Sequence, residues 1–120
     1  MNTSSIRIIG GRHKSYRIVF KATPALRPTT DRAKETLFSW LQFELENKSC
    51  LDLFAGTGGL GLEALSRGAQ HVTFVEREKS LYKNIIKNIT QLSYENKIQA
   101  ACSDAFKWLK TNKKKFDIIF

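Results

Sequence analysis

The residues of this 120-residue chain best suited to chemistry are three carboxylates and a glycine-rich turn. The turn is Asp52-Leu53-Phe54-Ala55-Gly56-Thr57-Gly58-Gly59-Leu60-Gly61, in which Gly56, Gly58 and Gly61 have the spacing GxGxxG. Such a pattern gains weight only between a strand and a helix, where glycine permits positive φ and lets a ligand approach the backbone. Here the apolar run Leu51 to Phe54 precedes the turn, and a short helix, Leu60 to Arg67, follows and is closed by Gly68. Glu76 follows the apolar strand His71 to Val75, twenty residues past Gly56, where a carboxylate can accept both hydroxyls of a ribose. Asp104 follows the next strand, Lys97 to Cys102, and its competing reading is a helix N-cap. Asp52, Glu76 and Asp104 therefore stand at the C-terminal ends of three strands, the edge at which open α/β sheets bind ligands.

Two cofactor classes use this geometry, dinucleotides and S-adenosylmethionine. A pyrophosphate wants a bare helix N-terminus, whereas Asp52, four residues before Gly56, brings negative charge toward the turn. A sulfonium with a free ammonium group is attracted by that same charge. The pattern favours S-adenosylmethionine. A nicotinamide-dependent oxidoreductase is the second enzyme reading, and a non-catalytic RNA-binding module is a reading from a different class.

The elements that must hold these residues follow from periodicity. Strands alternate with helices: beyond those named, Lys79 to Leu92 and Ala105 to Lys110 read as helices and Phe116 to Phe120 as a strand. This alternation predicts an α/β fold with a parallel sheet between helices. An amphipathic helix is expected from Asp31 to Glu46, with Ala33, Leu37, Leu41 and Leu45 on one face, widened by Phe38, and Thr29 or Thr30 as cap together with Asp31. Upstream, Ile6 to Ile9 and Ser15 to Phe20 read as a hairpin through Gly10 to Lys14. Its second strand puts Tyr16, Ile18 and Phe20 on one face and Arg17, Val19 and Lys21 on the other. Pro24 and Pro28 then enforce an extended linker. The organisation expected is a basic hairpin and linker over 1–28, followed by a cofactor-binding domain over 29–120.

With 42% hydrophobic and 26% charged residues the chain falls in the globular range, which excludes a disordered or fibrous protein. Its formal charge of +9 points to a polyanionic partner. The excess is concentrated early: no acid precedes Asp31, while Arg7, Arg12, Lys14, Arg17, Lys21 and Arg27 do. A second block, Lys107, Lys110 and Lys113 to Lys115, reads equally well as a solvated helix end. Cys50 and Cys102 have no metal-site spacing, so no metal is expected, and they read as buried thiols of a reducing compartment. Neither a secretory signal nor a membrane-length apolar stretch is present in these residues, so a cytoplasmic protein is expected.

Several segments together resemble the RsmD family of bacterial 16S rRNA (guanine-N2)-methyltransferases. They are Ile6-Arg7-Ile8-Ile9-Gly10-Gly11, Leu26 to Arg32 leading into Glu35-Thr36-Leu37-Phe38, Leu51 to Gly58, and Gly61 to Ala69. The resemblance implies a Rossmann-like class I methyltransferase sheet with an N-terminal β-hairpin extension. It implies that Asp52, the backbone of Phe54, Ala55, Gly56, Thr57 and Gly58, and Glu76 hold the methionine and ribose parts of S-adenosylmethionine. Asp104 and the backbone of Ala105 would meet the adenine. Arg7, Arg12, Lys14, Arg17, Arg27, Thr29 and Thr30 would face 16S rRNA, free or in an assembling small subunit, with Thr29 and Thr30 also lining the cofactor pocket. A monomer without membrane contact is expected.

In amino-methyltransferases the fourth strand leads into an Asp/Asn-Pro-Pro-Phe/Tyr loop that holds the target amine. The strand is here, but the loop would fall just after Phe120, and Pro24 and Pro28 are the chain's two prolines. These residues therefore read as the front portion of a longer methyltransferase, with an incomplete sheet, no catalytic residue of their own, and little or no transfer expected from them alone.

Overall fold

The structure is a computed structural model that describes residues 3–24, 26 and 29–120. Its β-branched and aromatic segments build two sheets. Strands β1 (Thr3–Arg7) and β2 (Arg17–Lys21) pair antiparallel, with Ile6 opposite Ile18 and Arg7 opposite Arg17. Strands β3 (Ser49–Asp52), β4 (His71–Glu76), β5 (Ile98–Cys102) and β6 (Ile118–Ile119) form a parallel sheet in the order β5-β4-β3-β6. Between them lie helices α1 (Asp31–Trp40), α2 (Gly59–Ser66), α3 (Lys79–Gln91) and α4 (Ala105–Thr111). The chain steps outward from β3 to β4 to β5, then returns through α4 to β6 on the far side of β3. Strand order reverses at β3, so the crevice beyond its C-terminal end is the place where such a sheet takes a ligand.

One buried cluster joins sheet residues Cys50, Val72 and Phe74, helix residues Phe38, Leu62, Ile85 and Ile89, and hairpin residues Ile8 and Ile18. The hairpin thus shares the core of the sheet. Successive strand residues face opposite ways, and Leu51 and Val75 meet Trp108 of α4 in a second, smaller cluster.

Element limits differ from expectation where a tertiary contact intervenes. The helix expected to reach Glu46 ends at Trp40, capped by the Leu41 N–H on the Leu37 carbonyl (3.2 Å), and turns then carry the chain to the buried Leu45. Its buried residues are Lys34 and Phe38, while Ala33 is exposed, so the helix is rotated by about one residue from the expected face. β1 stops at Arg7 because Ile9 and Gly10 turn their amides to Glu63. β3 ends at Asp52, two residues before the expected limit, freeing Leu53 and Phe54 for the sheet edge. β6 shrinks to Ile118–Ile119, with the Asp117 N–H on the Ser49 carbonyl below it. The other helices and strands fall within a residue or two of their expected limits; of the two cysteines expected to be buried, Cys50 is, whereas Cys102, the last residue of the edge strand β5, is exposed.

A buried charge cluster fastens the hairpin to the helices. The Glu63 carboxylate, fully buried in α2, accepts the Ile9 N–H (2.9 Å), the Gly10 N–H (3.0 Å) and the Arg67 Nε–H (2.8 Å), with Lys34 Nζ at 3.7 Å. The Lys34 ammonium, also fully buried, donates to the Arg7 carbonyl (2.5 Å). Burial pulls the Lys34 pKa down, and the Glu63 charge opposes that pull. Ser66, at the end of α2, accepts the His13 N–H (2.8 Å) and donates to the Gly10 carbonyl (2.7 Å), while His13 Nδ1 lies 2.6 Å from the Tyr94 hydroxyl. Removing one partner from a buried ion pair strands the other charge in a low-dielectric interior, at a cost of about 3–5 kcal/mol. Glu63→Gln should therefore lower the unfolding free energy in urea by about 3 kcal/mol, and Lys34→Met by a similar amount. The double variant should lose less than the sum; strictly additive losses would show that the two charges do not depend on each other.

Candidate functional site

The glycine turn is held by the two acids that flank it. Asp52, the last residue of β3, is buried, and its Oδ2 accepts the Gly61 N–H of α2 (3.0 Å). Glu76, the last residue of β4, accepts the Gly56 N–H on Oε1 (2.7 Å) and the Glu78 N–H on Oε2 (2.7 Å). Each Glu76 oxygen has a further lone pair for a hydroxyl. Burial pushes the Asp52 carboxyl up to about 7; the Gly61 N–H works against this, and the negative charge of Glu76 adds to it.

The N-terminus of α2 is not bare. Its Gly59 N–H is turned to Thr57 Oγ1 (3.2 Å), and its Gly61 N–H is held by Asp52. Two amides that would cradle a phosphate are already engaged, and a carboxylate sits where the phosphate charge would come. The acids suit a cationic ligand group. A small cavity of about 70 Å³ is lined by Asp52, Phe54, Ala55, Gly56 and Thr57, with Thr29 and Lys34 on its α1 side.

Two further openings share Phe54 with this cavity as a lining residue. One, of about 270 Å³, is lined by Phe54, Glu76, Asp104, Ala105 and Phe106. The other, of about 730 Å³, separates hairpin residues Phe20 and Lys21 from Gly56, Glu76 and α3 residue Asn84. Asp104 does cap α4, its Oδ2 accepting the Lys107 N–H (3.0 Å), and still faces the opening it shares with Glu76. Of the expected cofactor residues, Asp52, Phe54, Ala55, Gly56, Thr57, Glu76, Asp104 and Ala105 line these three spaces. Gly58 does not: it is buried toward Ile85, Leu62 and Phe74.

The residues expected to face RNA divide. Arg12 and Lys14 are exposed on the hairpin loop, and Arg7 and Arg17 on its outer face. Arg7 pairs with Asp31 (3.1 Å) and Arg17 donates to Ser5 Oγ (3.1 Å). Thr30 caps α1 by accepting the Ala33 N–H (3.2 Å), and Thr29 lines the Asp52 cavity. Arg27 lies outside the described residues. Sequence reasoning passed over Lys34 and Phe106. The signal for Lys34 was its place four residues before Phe38 on a helix whose buried face they share. For Phe106 it was an aromatic in the first turn after Asp104, where its exposed ring stands 6.1 Å from that of Phe54.

A family model described as Conserved hypothetical protein 95, the RsmD family, matches residues 6–120. The chain belongs to the RsmD family. It is 46% identical over 118 residues to Ribosomal RNA small subunit methyltransferase D of Buchnera aphidicola, covering 98% of this chain and 61% of the relative. The Escherichia coli protein of the same name is 41% identical, with 98% and 59% covered. The solved structure of yhhF, a proposed methyltransferase of Escherichia coli, superposes with a TM-score of 0.86 at 40% identity, covering 98% of this chain and 64% of that one. The fold is that of class I methyltransferases. This RsmD-family chain spans about three-fifths of the length of the curated relatives it matches.

Within this RsmD-family site the glycines divide their duties. A Cβ on Gly61 would come within 2.2 Å of the Phe74 ring, so this glycine lets α2 lie against β4. A Cβ on Gly56 would meet only Leu26 Cδ1, at 3.4 Å, but the backbone there has φ +56. Gly61→Ala should cost about 2–3 kcal/mol through overpacking, and Gly56→Ala only about 1 kcal/mol through left-handed strain. Urea unfolding checks both; a larger loss at Gly56 would reverse the assignment.

Proposed function

We propose that the chain is the cofactor-holding and RNA-facing part of an S-adenosylmethionine-dependent methyltransferase that acts on the exocyclic N2 of a guanine in 16S rRNA. The observation that carries this reading is the pair Asp52 and Glu76: each holds an amide of the glycine turn, and each faces a space that the basic hairpin borders or approaches. When bound, the cofactor supplies an electrophilic methyl group on a sulfonium. Asp52 meets the ammonium of its methionine part, Glu76 accepts the ribose hydroxyls, and Asp104 with the Ala105 backbone meets the adenine. Phe54, which lines all three spaces, shields the ligand from water.

The hairpin supports the RNA half of the reading. Arg7 and Arg17 are cross-strand partners on its outer face; Asp31 pairs with Arg7, while Arg17 has no acidic partner among the described residues and is free to meet an anion. None of the described residues is assigned a role on the target amine. Methylation of small-subunit particles by the full-length protein, with the modified base mapped, tests the substrate; transfer to another base or to DNA would overturn it. Titration of this chain with S-adenosylmethionine and with NAD tests the cofactor, and preferential NAD binding would overturn that part.

Protonation of Asp52 gives the site a pH dependence. An ammonium beside Asp52 favours its ionised form, so binding below pH about 7 must expel a proton. Affinity for S-adenosylmethionine should rise with pH up to neutrality, by at most about tenfold per unit, and level off above it. Asp52→Asn should abolish this slope and weaken binding at pH 8 by about 10–100-fold, the range expected for one charge-assisted hydrogen bond. Calorimetry at pH 6, 7 and 8 measures both, and a slope retained by Asp52→Asn would assign the proton to another group.

A further inference from the structure

We propose that an RNA strand crosses the outer face of the hairpin and continues onto α3, where Lys83 and Lys87 contact its phosphates. The inference rests on the rRNA-methyltransferase reading and extends it to a helix on which neither the sequence pattern nor the family resemblance places an RNA contact. Helix α3 carries Lys79, Lys83 and Lys87 at intervals of four and has no acidic residue from Lys79 to Gln91. All three lysines are exposed, and none of them takes part in an ion pair among the described residues.

Position makes this charge part of the hairpin surface. The Asn84 Nδ2 donates to the Val19 carbonyl (2.9 Å), and the Tyr16 hydroxyl donates to Asn88 Oδ1 (2.8 Å) and Gln91 Oε1 (2.6 Å), so α3 lies along β2. At about 100° per residue, Lys87 sits about 60° and Lys83 about 100° from Asn84, both turned away from the buried Ile85 and Ile89. Next to them the outer face of the hairpin presents Arg7, Arg17, the 53% exposed Val19, and Lys21. Lys83 and Lys87 thus lie on the flank of α3 that adjoins β2, beside the cleft that holds Gly56, Glu76 and Glu78. The apolar Val19 suits sugar or base contact, as a flexible polyanion requires. Asp31 balances Arg7 on the α1 side; no acid of α3 or β2 does so on the other.

The test is the salt dependence of binding to a short single-stranded RNA oligonucleotide. Each phosphate contact removed flattens the slope of log K against log salt by about 0.7 for single strands. Lys83→Gln/Lys87→Gln should therefore flatten it by about 1.4. Lys113→Gln/Lys114→Gln, of equal charge change but beyond α4 near His71, should leave the slope of the unmodified chain in place. Retained S-adenosylmethionine binding reports that each variant is folded. If the unmodified chain binds RNA with a salt-dependent slope and both double variants keep it, or both lose it equally, the α3 contact is refuted while the RNA reading stands. If the unmodified chain binds no RNA, the reading and the inference fall together.

Discussion

A single carboxylate, that of Glu63, determines how the parts of this molecule are joined. Buried in α2, it must find compensation, and it takes it from the amides of Ile9 and Gly10, from Arg67 and from Lys34 of α1. Those contacts draw together the hairpin, the first helix and the helix that begins at the glycine turn. A buried charge of this kind is weak evidence for stability, since an apolar substitute often serves as well. Its effect is geometric: the hairpin has one seat on the sheet domain.

The consequence reaches the ligand spaces. Because α2 starts at the turn and also carries Glu63, the same helix sets the position of the turn relative to Asp52 and of the hairpin relative to both. Lys34 belongs to the charge cluster and to the wall of the Asp52 cavity at once. The hairpin therefore forms a wall of the crevice, with its basic outer face beside the cofactor edge.

The sheet, the glycine turn and the ordering of the three acids were legible in the sequence, because each depends on local pattern: apolar runs of strand length, glycines at a strand-to-helix turn, and acids directly after strands. The elements went wrong where distant residues decide. Lys34 looks like a surface residue until Glu63 is known to lie behind it, and the helix then turns by one position so that Lys34 is buried beside the expected Phe38 while Ala33 is exposed. Gly58 and Gly61 belong to one motif with Gly56, but spacing could not reveal that Phe74 crowds Gly61 and Ile85 crowds Gly58, while Gly56 lines the ligand spaces. Asp104 shows a different limit: its capping and ligand-facing roles are both present, and composition offers no way to choose between them.

Hairpin and sheet, fastened through Glu63, should open as one cooperative unit. Native-state hydrogen exchange of the Ile9 and Gly10 amides, compared with amides of the β3–β4 ladder, addresses this directly. Protection of Ile9 and Gly10 at the level of the ladder is the predicted result, with selective loss of that protection in Glu63→Gln. Exchange of these two amides at the rate of exposed loops, in the unmodified chain, would contradict it.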